Sequence, residues 1–424
     1  MKKLLLTAVA AAGMALTAPV LAEAPTRQAV DEMTGRAAEL VKEGRVDDAA
    51  QIYDFLLTLA PNYPRFLMDM AHIQMLQGNW ADAKAKLQQV RNMPGIPEHI
   101  ASAIDGRLAY IETQTYRSKL SGQISFGLTA QSNVNAGPED RQIDIFGLPF
   151  TLSSSAMPQS DIIARAAIDL DYRLRLGDGN TFFNAQMSFV GLNYNEFDDL
   201  NRKDLGVQLG FLLPLEGFPL AKSHFQIHAV ANKTWIGGDS YQDSAGLLAT
   251  YTATPTERLQ IRLGASYQQD DYLTSLARPS ADDRDGDKTA FSLMATYALS
   301  ESLRLLAGVE AAKLDAEEDY NSWSGTAVRL GLSKKYTSPI AALPGAWTTA
   351  ISVEHSQRDY VAPEVMFSTD PQATDITRFS LVQTVPLSAV TEARLSLSSA
   401  KATSTYDIYS WSDQSASLSF LYKF

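Results

Sequence analysis

The sequence predicts an α+β multidomain protein in which a short all-α domain precedes a 14-stranded antiparallel transmembrane β-barrel. Apolar residues recur with a helical period between about residues 27 and 115, and they alternate with polar residues from Gly122 onward. We count fourteen alternating segments, among them residues 162–176, 257–270 and 411–424, and bacterial outer-membrane barrels have an even number of strands. The connections at one end are eight residues or fewer, whereas the other end has longer loops such as 132–161, 271–286 and 359–373.

The N-terminal segment has the pattern of a signal peptide. Two lysines precede an apolar run over residues 4–16, and Val20-Leu21-Ala22 matches the small-residue cleavage site of exported proteins. We expect cleavage after Ala22, so that residues 1–22 form the signal peptide and the remainder of the chain is exported.

Composition excludes several classes of function. The 424 residues have a net charge of −12, and no block of lysine and arginine stands out, so nucleic-acid binding is not expected. The absence of cysteine excludes a disulfide framework, thiolate metal sites and a cysteine nucleophile. Ser398 and Lys401 match the spacing S-x-x-K, but residues three apart on a strand face opposite sides. We therefore predict no catalytic residues, no metal site and no cofactor.

Residues 23–118 are predicted to form a helical domain with an internal repeat. A shift of 34 residues, the tetratricopeptide (TPR) period, aligns one set of positions with another. The matched positions are Ala37 with Ala71, Gly44 with Gly78, Val46 with Trp80, and Ala49 with Ala83. The pattern resembles TPR, whose surfaces usually hold a peptide or protein; an amphipathic bundle without a partner is the alternative. A further helix over residues 97–114 is a plausible cap.

Residues 119–424 are predicted to form the barrel, with its ionised side chains facing the lumen. A charged residue that faces lipid at mid-depth costs about 2–4 kcal/mol, so the charged positions of each strand must point inward. The predicted lumen-lining residues are Arg165, Asp169, Asp171, Arg173, Arg175, Arg258, Arg262, Arg304, Glu310, Arg329, Arg378 and Arg394, together with Glu354. They could line a conduction or translocation path, or form a salt-bridge network that fills the interior.

The last strand ends in alternating aromatic residues. Phe420, Tyr422 and Phe424 share one face, which the alternation assigns to lipid. By resemblance to other barrels, this ending looks like the signal that the outer-membrane assembly machinery reads. It predicts a protein of the bacterial outer membrane whose helical domain lies in the periplasm.

The combination of these features resembles the surface lipoprotein assembly modifier (Slam) family, the outer-membrane proteins of the type XI secretion system. The most specific element follows the first strand, where Ser132, Asn133 and Asn135 match the family's SN-x-N pattern; Gln131 stands where aspartate is common. The resemblance implies that the protein moves a cargo, either a surface lipoprotein or a soluble haemophore-like partner, from the periplasm to the cell surface. The TPR-like domain would then contact the cargo or its chaperone.

Two other functions remain open from the sequence. Polysaccharide exporters also join TPR helices to barrels, although they have many more repeats. A general porin-like channel with an accessory periplasmic domain is the other alternative.

Overall fold

The chain divides after Tyr116 into a helical unit and a barrel unit, close to the predicted boundary at residue 118. A computed structural model of the chain describes residues 26–177, 181–215, 223–343 and 345–424. The predicted signal peptide and its cleavage site at Ala22 lie outside the described residues. None of the helices in these ranges is long and apolar enough to cross a membrane.

The helical unit consists of two helical hairpins and a fifth helix. The helices are α1 (Arg27–Lys42), α2 (Val46–Leu59), α3 (Pro64–Leu76), α4 (Trp80–Arg91) and α5 (Glu98–Thr115). Ala37, Ala49, Ala71 and Ala83 are all fully buried where these helices pack, because only a small side chain lets two helix backbones approach closely. The alanine positions of the predicted repeat therefore form its core.

The two hairpins turn in the same way, 34 residues apart. Gly44 and Gly78 have φ angles of 76° and 78°, a left-handed conformation that favours glycine. The amide of Arg45 donates to the carbonyl of Leu40 over 2.8 Å, and the amide of Asn79 donates to Gln74 over the same distance. Each turn is a Schellman motif that satisfies the last carbonyls of its first helix.

The fifth helix covers the second repeat, as the sequence predicted for residues 97–114. Its residues Ile104 and Ile111 are fully buried in one cluster with Leu87 and Val90 of α4. Burying large aliphatic side chains of this kind stabilises by about 1.5–3 kcal/mol each. Helix α5 thus closes the open end of a repeat that would bury little by itself.

The second unit is a closed antiparallel barrel of fourteen strands. A separate two-stranded hairpin, β2 (Gln142–Ile145) and β3 (Leu148–Thr151), lies in the connection after the first strand. The barrel strands are β1 (Ser118–Gln131), β4 (Asp161–Arg175), β5 (Phe182–Tyr194), β6 (Arg202–Leu215), β7 (Ser223–Ile236), β8 (Asp239–Thr256), β9 (Leu259–Tyr272), β10 (Gly286–Ala298), β11 (Leu303–Ala316), β12 (Trp323–Thr337), β13 (Ala346–Tyr360), β14 (Ala373–Pro386), β15 (Thr391–Ser404) and β16 (Trp411–Lys423).

The barrel closes where its first and last strands pair. Strand β16 lies between β15 and β1, with Gln123 opposite Lys423 and Gln131 opposite Ser415. Closure leaves no unpaired sheet edge, which a chain inside a lipid bilayer requires.

Between its two ends, the outer face of the barrel is apolar. Phe126, Phe291 and Phe379 are 62%, 66% and 59% exposed, although large aromatic side chains are normally buried. They share a strand face with rows of leucine and valine, whereas the neighbouring positions carry the charged residues. This arrangement is that of a transmembrane outer-membrane barrel, and it confirms the predicted fold class and location.

Candidate functional site

The lumen wall is formed by every second residue of each barrel strand. On β4 the inward positions include Arg165, Asp169 and Asp171, because the outward positions are the exposed Ile162, Ile168 and Tyr172. The same alternation places the other predicted lining residues on the inner face, with one exception. Those residues are Arg173, Arg175, Arg262, Arg304, Glu310, Arg329, Glu354, Arg378 and Arg394.

The exception is Arg258, for which the lumen prediction is wrong. The sequence indicated a strand over residues 257–270, but Glu257 and Arg258 form the exposed two-residue turn between β8 and β9. The hydroxyl of Thr256 accepts hydrogen bonds from the amides of Arg258 and Leu259 and so fixes this turn. Arg258 therefore lies at the periplasmic end of the wall and not on it.

One part of the wall is a connected polar network on β4, β5 and β7. The carboxylate of Asp171 accepts hydrogen bonds from Arg173 Nε and Gln186 Nε2, each over 2.9 Å, and from Asn184 Nδ2 over 3.2 Å. Asn184 Oδ1 lies 3.1 Å from Nε2 of the buried His228. With three hydrogen bonds to neighbouring side chains, the Asp171 carboxylate has a structural role here.

Elsewhere the lumen charges are accessible to solvent. Arg262, Arg304, Glu310 and Arg378 are all exposed. Arg329 forms an ion pair with Glu354 across β12 and β13, yet its side chain remains 52% exposed. The lining therefore combines a local polar network with charged groups that solvent reaches, and the salt bridges do not fill the space around these groups.

The family-like element after β1 attaches the first outer loop to the barrel wall. The Ser132 hydroxyl donates to Asp413 Oδ1 over 3.1 Å, and the backbone amide of Asn133 donates to the same oxygen over 3.0 Å. The side-chain amide of Asn133 donates to the carbonyls of Gly137 (2.8 Å) and Ser412 (2.9 Å). Its Oδ1 accepts the Gly137 amide over 2.8 Å, and Asn133 is only 4% exposed.

The second asparagine of the element acts within the loop. Asn135 Nδ2 donates to the carbonyl of Met157 over 3.0 Å, and its Oδ1 accepts the amide of Gln159 over 2.9 Å. These two bonds tie the start of the loop over residues 132–160 to its end. We name Ser132, Asn133, Asn135 and Asp413 the loop clasp.

Further contacts hold the same loop against the outer end of β15 and β16. Glu139 lies 3.4 Å from Lys401 Nζ, and the amide of Asp144 donates to Asp407 Oδ2 over 3.0 Å. A hydrogen bond from Ser412, helped by the Lys401 charge, holds the pKa of Glu139 below its usual range. Lys401 faces away from the lumen, as expected from its odd spacing from Ser398.

The aromatic residues of the last strand lie on its lipid side. Phe420, Tyr422 and Phe424 are 53%, 48% and 47% exposed, and the rings of the last two stack with centroids 6.2 Å apart. The amide of Phe424 donates to Gly122 and its carbonyl accepts the Gly122 amide, over 3.1 and 3.0 Å. The C-terminal residue thus takes part in closing the barrel.

Sequence reasoning missed Asp413, the residue around which the loop clasp is built. Nothing in its local sequence signals the role, because its partners lie about 280 positions earlier in the chain. The predicted lining also omitted Lys119 and Lys335, which the strand alternation would have assigned to the inner face.

Taken together, the closed barrel with an apolar exterior and a charged interior defines an outer-membrane β-barrel protein. The chain belongs to the surface lipoprotein assembly modifier family, whose sequence profile matches residues 121–424. A tetratricopeptide repeat profile matches residues 40–93, within the helical unit. The family match therefore places the role of the protein in the surface assembly of lipoproteins. A comparison with curated proteins gives no match.

Several solved structures are similar to the chain at low sequence identity. One is a bacterial polysaccharide outer membrane secretin, with 11% identity over 71% of this chain and 98% of that chain and a TM-score of 0.39. Another is the outer membrane channel DcaP of Acinetobacter baumannii, with 12% identity, coverages of 72% and 97%, and a TM-score of 0.42. A third is the anion-selective porin from Comamonas acidovorans, with 12% identity, coverages of 72% and 99%, and a TM-score of 0.37.

Proposed function

We propose that the protein moves a cargo protein across the outer membrane and displays it at the cell surface. The cargo would be a surface lipoprotein or a soluble haemophore-like partner. Membership of the surface lipoprotein assembly modifier family across the whole barrel is the observation that carries this proposal. The role is that of a transport and assembly protein without a catalytic step.

The helical unit would contact the cargo or its chaperone. Its TPR match supports this, since such repeats bind peptides and proteins. Phe55 and Leu59, four residues apart on one face of α2, are 50% and 46% exposed, and Tyr63 follows at 49%. These apolar side chains offer a contact surface that a partner could bury.

The barrel would provide the path or the surface along which the cargo crosses. Solvent-accessible charges such as Arg262, Arg304 and Arg378 on the lumen wall favour passage of a polar chain. Insertion of the barrel would depend on the assembly machinery and on surrounding lipid, with Phe420, Tyr422 and Phe424 as the recognised ending.

A comparison of surface proteins with and without this gene tests the proposal. Cells would be labelled with a membrane-impermeant biotin reagent, and the labelled proteins identified by mass spectrometry. We expect a small set of proteins to leave the surface but remain in the cell when the gene is deleted, and to return on complementation. Unchanged surface proteins with a lost surface polysaccharide would favour a polysaccharide exporter, and a change limited to small-solute uptake would favour a porin.

A further inference from the structure

Cationic side chains gather at the periplasmic mouth of the lumen. Eight of them occupy inward-facing positions within three residues of the periplasmic ends of their strands. Two of the eight share a strand or an acidic partner with another: Arg175 lies beside Arg173 on β4, and Arg394 pairs with Glu392 on β15. The other six, which we name the basic ring, are Lys119, Arg173, Arg262, Arg304, Lys335 and Lys423. They belong to six different strands, so the positive charge is distributed around the wall.

Most of this charge has no internal partner. Arg173 pairs with Asp171, and Lys423 lies 2.6 Å from Glu392. In the ranges that the structure describes, the other four cations, on β1, β9, β11 and β12, form no salt bridge, and all four are exposed. Lys119 also lies directly opposite Arg173 in the β1–β4 register, an arrangement that destabilises a sheet. Barrel stability therefore gives no reason for these four cations, whereas a bound anion would.

The opposite end of the barrel is acidic. The seven outer connections between strands carry fifteen aspartates and glutamates but only three basic residues, Arg141, Arg278 and Arg284. An anionic chain is consequently attracted at the periplasmic mouth and repelled at the extracellular rim. The charge distribution therefore favours entry of an anionic chain from the periplasm over entry from outside the cell.

We propose that the basic ring binds a carboxylate-rich, extended polypeptide segment of the cargo as that segment enters the lumen from the periplasm. Arg262 and Arg304 lie two strands apart, about 10 Å along the wall. A single carboxylate or phosphate group cannot span this distance, but a chain with a carboxylate on every second residue can contact several ring cations at once. The inference rests on the proposed function only in taking the anion to be part of a protein cargo.

Binding of labelled peptides to the purified full chain in neutral detergent micelles tests this proposal. The probe is a fluorescein-labelled peptide of alternating glutamate and serine, and a lysine–serine peptide is its counterpart. Fluorescence anisotropy would be followed at about 50 mM and about 300 mM salt, because charge attraction weakens as salt screens it. We expect the glutamate peptide to bind in a salt-sensitive way and the lysine peptide not to bind.

Two triple variants with equal changes in charge locate the site. Arg262→Glu, Arg304→Glu and Lys335→Glu together should weaken binding of the glutamate peptide by at least about tenfold. The control variant combines Lys203→Glu, Lys313→Glu and Lys401→Glu, which lie on the outer face near the extracellular end, and should stay within about twofold of wild type. If the glutamate substitutions prevent barrel assembly, a variant with glutamine at the same three ring positions is used instead.

The proposal is overturned if both peptides bind alike, if the ring variant binds as wild type does, or if the control variant loses as much affinity. If lipopolysaccharide displaces the glutamate peptide completely, the basic ring would instead be assigned to binding a phosphate-bearing lipid. If the glutamate peptide binds but gene deletion leaves the surface proteome unchanged, the export function is contradicted and the basic ring is still supported as an anion-binding site. If the peptide does not bind but deletion removes proteins from the surface, only the role of the basic ring is contradicted.

Discussion

Replacing Asn133 by alanine should release the first outer loop from the barrel wall. The side chain of Asn133 makes three hydrogen bonds of 2.8–2.9 Å at a buried position. Alanine would leave the buried Gly137 amide and the Ser412 carbonyl without these partners. A buried polar group without a partner costs about 1–3 kcal/mol, so the loop should be destabilised by about 2–4 kcal/mol.

This loss of stability raises the fraction of molecules in which the loop is open. At about 1.4 kcal/mol for each factor of ten, the open fraction should rise between about 30-fold and 700-fold. Arg141 lies in the loop and is exposed, so trypsin cleavage after it can report opening. When the loop recloses faster than it is cut, the cleavage rate follows the open population.

The cleavage rate after Arg141 would be measured by mass spectrometry on wild type, Asn133→Ala and the control Ser153→Ala. The exposed Ser153 hydroxyl bonds only to the Ser155 hydroxyl in its loop, so its loss should change the rate by less than about twofold. A rate for Asn133→Ala within threefold of wild type would refute the structural role assigned to the loop clasp.

Three further predictions concern the barrel seam and the helical repeat. Deleting Phe424 removes two backbone bonds to β1 and should lower the amount of inserted barrel, seen as a loss of heat-modifiable mobility; full insertion would contradict this. Gly127→Ala places a Cβ 2.8 Å from the Leu418 carbonyl oxygen and should therefore lower the temperature of the heat-modifiable transition. The control Gly191→Ala should leave this temperature unchanged, because the nearest atom to its Cβ is 3.9 Å away. Gly78→Ala forces an alanine into a left-handed backbone conformation and should destabilise the helical unit by about 1 kcal/mol. Unfolding followed by circular dichroism at 222 nm would measure this change. Gly106→Ala, in a helix and with no neighbouring atom, should stabilise it by about 0.5–1 kcal/mol; equal effects at the two sites would contradict the turn assignment.

The strands could be predicted closely because each barrel strand meets lipid on one side and the lumen on the other. Strand β4 was expected at 162–176 and spans Asp161–Arg175, and the last strand begins at the predicted Trp411. The helical repeat was visible for a similar reason, since its small buried residues and left-handed glycines recur at a fixed spacing. In both cases a local environment repeats along the chain.

The errors occur where the structure depends on turns or distant partners. The alternation of residues 258–260 continues through a turn, so the sequence placed Arg258 on a strand that begins at Leu259. The β2–β3 hairpin was expected to be plain loop, because its turn uses Phe146 and Gly147 at φ angles of 53° and 73°. A phenylalanine is uncommon in that conformation, so no turn signal was present. The role of Asp413 depends on contacts that no local pattern encodes.

Site-specific photo-crosslinking in living cells tests whether a protein cargo crosses by way of this barrel. Ser380 faces the lumen at mid-strand, and the adjacent Phe379 faces lipid with 59% of its surface exposed. A photoreactive amino acid at each position would probe the two sides of the same wall at one height. We expect a crosslink from position 380 to a protein that leaves the surface when the gene is deleted, and none from position 379. Equal crosslinking from both positions, or none from position 380 while that protein still reaches the surface, would contradict this expectation.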